Sequence, residues 1–149
     1  MDIPHNAHVL VVDGRKLLLF KNEGSVGTPK LSIATHREQD SAATHDQGRD
    51  KPGTMHQSVG SARSGYEQTD YHQQDEDHLA AVAADMLKRE VLAGRIEALI
   101  VLAPPRTLGE LRKHYHGEVE KRVLGEIAKD VAGRPTDEIV TVIAQQRLT

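Results

Sequence analysis

The run His8–Phe20, HVLVVDGRKLLLF, constrains the fold more than any other part of this chain. It holds two nearly continuous apolar segments, His8–Asp13 and Lys16–Phe20, separated by Asp13-Gly14. An Asp-Gly step between two such segments is a favoured hairpin turn. Continuous apolarity, without alternation, is what strands covered on both faces require. The chain must therefore build a sheet that is buried on two sides.

The later segments supply the rest of that sheet and its cover. A weaker third strand is expected over Thr28–Thr35, where Leu31 and Ile33 alternate with polar neighbours. Leu79, Val82, Ala83, Met86, Leu87 and Val91 recur at helical spacing, with Asp75–Asp77 at the helix start and Gly94 as its stop. Ile96–Ala103, IEALIVLA, reads as a buried strand that Pro104 and Pro105 end. Thr107-Leu108-Gly109-Glu110 has capping-box spacing, so a helix is expected to begin there. Glu118–Lys121 continues a helix, Val123–Ala128 is a final strand, and Pro135-Thr136 introduces a last helix with Ile139, Val142 and Ile143 on its apolar face. The expected fold is α/β, with the order β-β-β-α-β-α-β-α. Short links make the first three strands antiparallel, and helical crossovers add parallel strands. A mixed sheet of five strands packed with helices follows. This order also matches the ribonuclease H-like topology.

One segment does not fit that pattern. Across residues 34–77 the only large aliphatic side chains are Met55 and Val59, and the segment carries 4 basic and 9 acidic residues. Such a stretch cannot bury enough apolar surface to offset its ordering entropy, and a disordered or loose insert is expected. The chain of 149 residues then reads as a single domain, 1–149, interrupted by this polar insert. Without the insert, the charge is +2, from 15 basic and 13 acidic residues; the whole chain carries −3. A surface that is basic throughout, as a dedicated nucleic-acid or membrane binder has, is therefore not expected. Cysteine is absent, which removes disulfides, thiolate metal sites and cysteine nucleophiles. No apolar run is long enough for a membrane span, and Met1–His5 lacks the basic and apolar regions of a secretory signal. A cytoplasmic location is the expectation.

The most informative local feature is Ala103-Pro104-Pro105-Arg106-Thr107. It stands at the carboxyl end of a predicted central strand and at a helix start, the edge where ligands of α/β sheets bind. Helix amides, Arg106 and Thr107 can together hold a phosphate or carboxylate there. The plainer reading is a stiffened strand-to-helix turn. Asp13, at the end of the first strand, is a second candidate, although it is also the first residue of the Asp-Gly turn. Arg112 and Lys129 belong to a basic group with Arg106, Lys113, Lys121 and Arg122, suited to an anionic backbone if they share a face. The nine histidines show no strong zinc spacing, and His114, His116 and the group His72, Asp75, His78 read as solvated. No catalytic set, metal site or cofactor motif is expected: Walker, dinucleotide and Gly-x-Ser-x-Gly patterns are all missing.

The segments HVLVVDGRKLLLF, Asp50-Lys51-Pro52-Gly53, LIVLAPPRTLGELR and EIAKDVAG, in that order, resemble the host attachment protein family, described as proteins required for attachment to host cells. The resemblance spans nearly the full chain, and APPRTLGELR and Lys129-Asp130 carry most of it. That family is similar to the middle domain of archaeo-eukaryotic peptide-chain release factors. The resemblance implies a ribonuclease H-like sheet and contact with a ribosome or RNA. The release-factor domain acts through a Gly-Gly-Gln loop, which this sequence lacks; Gln47-Gly48 and Gln57 do not reproduce it. The expected function is thus a non-enzymatic adaptor or regulator, binding a ribosome, RNA, another anionic partner or a protein through Asp13, Arg106, Thr107, Arg112 and Lys129. The alternative is a nuclease or peptidyl-tRNA esterase-like enzyme acting on RNA.

Overall fold

The computed structural model describes residues 1–38 and 64–146, with the side chains of the long helix described from Asp77 onward. Its centre is a five-stranded sheet in the order β3-β2-β1-β4-β5. The strands are β1 (His8–Val12), β2 (Lys16–Asn22), β3 (Leu31–Glu38), β4 (Leu99–Leu102) and β5 (Val123–Ile127). The helices are α1 (Ser64–Leu92), α2 (Pro105–His114), α3 (Gly117–Arg122) and α4 (Thr136–Gln145). β1 pairs antiparallel with β2, and β2 with β3; β1 pairs parallel with β4, and β4 with β5. This is the mixed α/β sheet expected from the order of elements, with one additional short helix, α3.

The two central strands explain the unbroken apolarity of the sequence. Every residue of β1 and β4 is buried. Leu10, Val12, Leu99 and Val101 pack beneath α1 and α2 with Leu79, Leu87, Leu108 and Leu111. Val9, Val11, Ile100 and Leu102 point the other way, toward Ile139 and Ile143 of α4. Successive strand residues alternate between faces, so only an apolar pair of faces suits a strand covered twice. Each fully buried Leu, Ile or Val contributes on the order of 2 kcal/mol relative to exposure.

The hairpins have local causes. The Asp13 carboxylate accepts hydrogen bonds from the amides of Arg15 and Lys16, each at 2.7 Å, and closes the β1–β2 turn. Asn22 ties the β2–β3 link together from a fully buried position. Its amide nitrogen donates to the Ile3 and Pro4 carbonyls, and its oxygen accepts from the amides of Gly24 and Lys30. A Cβ on Gly24 would stand 2.2 Å from the Thr28 carbonyl oxygen, so only glycine fits that crossing.

Helix ends follow some of the local sequence signals and depart from others. Gly94 has φ of 79°, its amide donates to Val91, and the Arg95 amide donates to Glu90, which together form a Schellman stop for α1. α1 begins at Ser64, well before Asp75, and β3 runs on through Glu38. The polar segment 34–77 thus differs from a single loop at both ends, and residues 39–63 lie outside the described residues. α2 begins at Pro105, with Pro104 as N-cap and no side-chain cap. The capping-box expectation at Thr107 is corrected: proline at the first helical position already has the right φ and has no amide to satisfy. α3 is capped by His116, whose Nδ1 accepts from the Glu118 amide at 3.0 Å. Among the described residues no helix is long and apolar enough to cross a membrane.

Candidate functional site

Parallel pairing places the carboxyl ends of β1, β4 and β5 along one edge of the sheet. The register matches Val11 with Leu102 and Leu102 with Ile127. Asp13, Pro104 and Lys129 each follow their strand by one or two residues, so the topology gathers the first turn, the proline turn and the Lys129-Asp130 loop at that edge. The Ala103 amide donates to Ile127 at 3.1 Å and extends the pairing to the point where the chain turns into α2. This is the rim on which open α/β sheets place ligands.

The five candidate residues fare differently there. Asp13 is half-buried, and its Oδ1 is committed to the turn amides. Arg106 is half-exposed in the first turn of α2, with its guanidinium 3.9 Å from Asp77 Oδ1 on α1. Thr107 is 4% exposed and packs inward. Lys129 is exposed, without an ion-pair partner among the described residues. Arg112 lies at the other end of α2 and takes part in a separate cluster.

In that cluster the Arg112 guanidinium meets Glu126 Oε1 on β5 at 2.9 Å, and the Tyr115 hydroxyl donates to Glu126 Oε2 at 3.1 Å. With Glu120 and Val123, these three residues line an open cavity of about 370 Å³. Burial first, then the charge of Glu126 and the bond to it, pushes the Tyr115 hydroxyl far above the ordinary tyrosine range. Tyr115 is thus a neutral donor held in place, which fits it to orient a carboxylate. Glu126 was not singled out in the sequence. Its partner stands 14 residues away, and only the alternation of Glu126 with inward-facing Ile127 hints at its side of the sheet.

The basic group of the second half is largely matched by acids. Lys113 pairs with Glu110 at 2.9 Å and Lys121 with Glu118 at 3.1 Å, one helical turn away. Those lysine contacts lower both glutamate carboxyls below the ordinary range. Arg122 differs: its Nε is buried without a hydrogen-bond partner. The group therefore presents mixed charge, with Lys129 as an exposed cation at the sheet edge. Among the described residues, no three His, Asp or Glu side chains gather in a metal-holding arrangement. His72 and Asp75, proposed as neighbours of His78, have side chains outside those described.

The mixed sheet and its strand-end edge define an open α/β protein, and residues 6–143 match the model of a bacterial release-factor-like family. The chain belongs to bacterial archaeo-eukaryotic release factor family 12. Comparison with curated proteins gave no match.

Proposed function

We propose that this protein is a non-enzymatic adaptor or regulator, related in role to host attachment proteins, that binds the ribosome, RNA or another anionic partner in the cytoplasm. The observation that carries the reading is the convergence of the Pro104–Arg106 turn and Lys129 on one strand-end edge, in a chain of a release-factor family. The strand order supports the ribonuclease H-like reading of its sheet. Arg106, Lys129 and the uncapped first turn of α2 bring positive groups to that edge, beside Asp13, Asp77 and Asp130. Such contacts displace counterions from a nucleic-acid backbone and weaken steeply as salt rises.

A nuclease or peptidyl-tRNA esterase reading needs further carboxylates beside Asp13, or a glutamine from the segment holding Gln47 and Gln57. That segment lies outside the described residues, and no described contact favours the reading. Co-sedimentation with ribosomes tests the proposal. The wild-type chain should pellet with ribosomes at low salt and be released at high salt, and a Lys129→Glu variant should pellet less. Failure of the wild-type chain to pellet even at low salt would overturn it.

A further inference from the structure

A second concave site lies on other strands, between the outer hairpin and α1. We propose that this cleft binds a small phosphate ester through Arg37, Arg89 and Arg95. The cleft has a volume of about 300 Å³, at the small end of the ligand-pocket range. Leu17, Val82 and Met86 contribute aliphatic surface to it. Among the described residues, Arg37, Arg89, Arg95, Thr35 and one acid, Glu90, complete its lining.

The site depends on an irregularity in strand pairing. Phe20 pairs with Ile33, but Leu19 pairs with Thr35, so β3 carries one extra residue, Ala34. A bulge of this kind re-aims the side chains that follow it. Thr35 and Arg37 thereby share the face of Leu19 and Leu17, toward α1, whereas Ile33 shares the face of Phe20. Without the extra residue, Ile33, Thr35 and Arg37 would all lie on one face. The bulge brings an arginine and a hydroxyl over the helix and leaves Ile33 60% exposed on the opposite face.

The two helix-side arginines are already oriented. Arg89 pairs with Asp85 at 3.1 Å, and Arg95 Nε donates to Glu90. A guanidinium has five N–H donors in a fixed fork, and these contacts leave donors on each. Arg37 has no ion-pair partner among the described residues. Three guanidiniums against Asp85 and Glu90 leave one positive charge in excess. A phosphate monoester offers that excess a negative charge, and its three acceptor oxygens suit the guanidinium donors that the two carboxylates leave over. The aliphatic wall suits an apolar ester group. Among the described residues no aromatic ring lines the cleft for base stacking, which favours a small ester over single-stranded RNA.

Titration calorimetry of the full chain with n-butyl phosphate tests the assignment. Saturable binding is expected, tighter than for inorganic phosphate. The R37Q/R89Q double variant should bind about tenfold more weakly or worse. Lys129→Gln should leave binding unchanged, which separates this site from the strand-end edge. Absence of saturable binding to the wild-type chain, unchanged binding by a folded R37Q/R89Q variant, or equal loss in Lys129→Gln would overturn it. A short oligoribonucleotide that binds more tightly than n-butyl phosphate, with the same dependence on Arg37 and Arg89, would overturn the small-ester assignment in favour of RNA.

Discussion

The Tyr115 hydroxyl donates to Glu126 Oε2 across 3.1 Å, and this bond ties the C-terminal end of α2 to the edge strand β5. Arg112 holds the other carboxylate oxygen, so Glu126 is satisfied on both sides. Tyr115→Phe removes one partly buried hydrogen bond and should cost about 1 kcal/mol. Glu126→Ala strands the hydroxyl and frees the guanidinium, and should cost about 2 kcal/mol. Urea unfolding of the two variants measures the difference. Equal stability of wild type and Glu126→Ala would show that the cluster contributes nothing to the fold.

The same bond has a signature in alkaline solution. The folded Tyr115 keeps its proton beyond the ordinary value of about 10, whereas the unfolded chain loses it there. The folded state then binds more protons than the unfolded one, so stability falls as pH rises above about 10. Absorbance titration of phenolate should show a late-titrating component that Tyr115→Phe abolishes. A Tyr115→Phe titration identical to wild type in its late part would assign that component elsewhere.

Asn22 joins three segments that are remote in sequence: the N-terminal Ile3–Pro4 stretch, the Gly24 turn and the start of β3 at Lys30. Its side chain is fully buried and so is its bond to the Ile3 carbonyl, while the bonds to Pro4, Gly24 and Lys30 are part-buried. Asn22→Ala should destabilise by about 3 kcal/mol, since it breaks these four hydrogen bonds at once, one of them fully buried. Asn22→Asp should also destabilise, because a carboxylate cannot donate to the Ile3 and Pro4 carbonyls. Thermal unfolding that leaves either variant within error of wild type would contradict this role.

What could be read in the sequence was what neighbouring residues decide. The β1–β2 hairpin follows from Asp13-Gly14 between apolar runs, and the two covered strands follow from their continuous apolarity. The strand-end edge follows from Pro104 and Pro105 closing β4. The start of α2 lies ahead of the expected one because Thr107 and Glu110 have capping-box spacing, while the prolines already end the strand and begin the helix. The bulge at Ala34 was not legible: the alternation of Leu31 and Ile33 looks regular, and the shift exists only relative to β2. The Arg112–Tyr115–Glu126 cluster needs β5 laid beside β4 before its members meet. In the sequence His116 reads with His114 as a solvated pair, yet its ring caps α3, a role that depends on a helix too short for periodicity to reveal.

His8 begins β1 at 6% exposure, and its Nδ1 has no hydrogen-bond partner. Burial, then the positive charge of Lys21, lowers its affinity for a proton; Glu90 and the backbone at Asn6 act against them more weakly. The unfolded chain takes up that proton near pH 6.5. Between the two values the unfolded state binds more protons, so this contribution to stability is present above about pH 6.5 and is lost as pH falls through the lower folded value. Urea midpoints should therefore decline between about pH 7.5 and about pH 5.5, a window above the ordinary carboxylate range. His8→Gln removes the titrating group and should flatten the decline, even if it lowers stability at every pH. The slope is the informative quantity, since a purely steric role for the imidazole would shift the midpoint and leave the slope as it was.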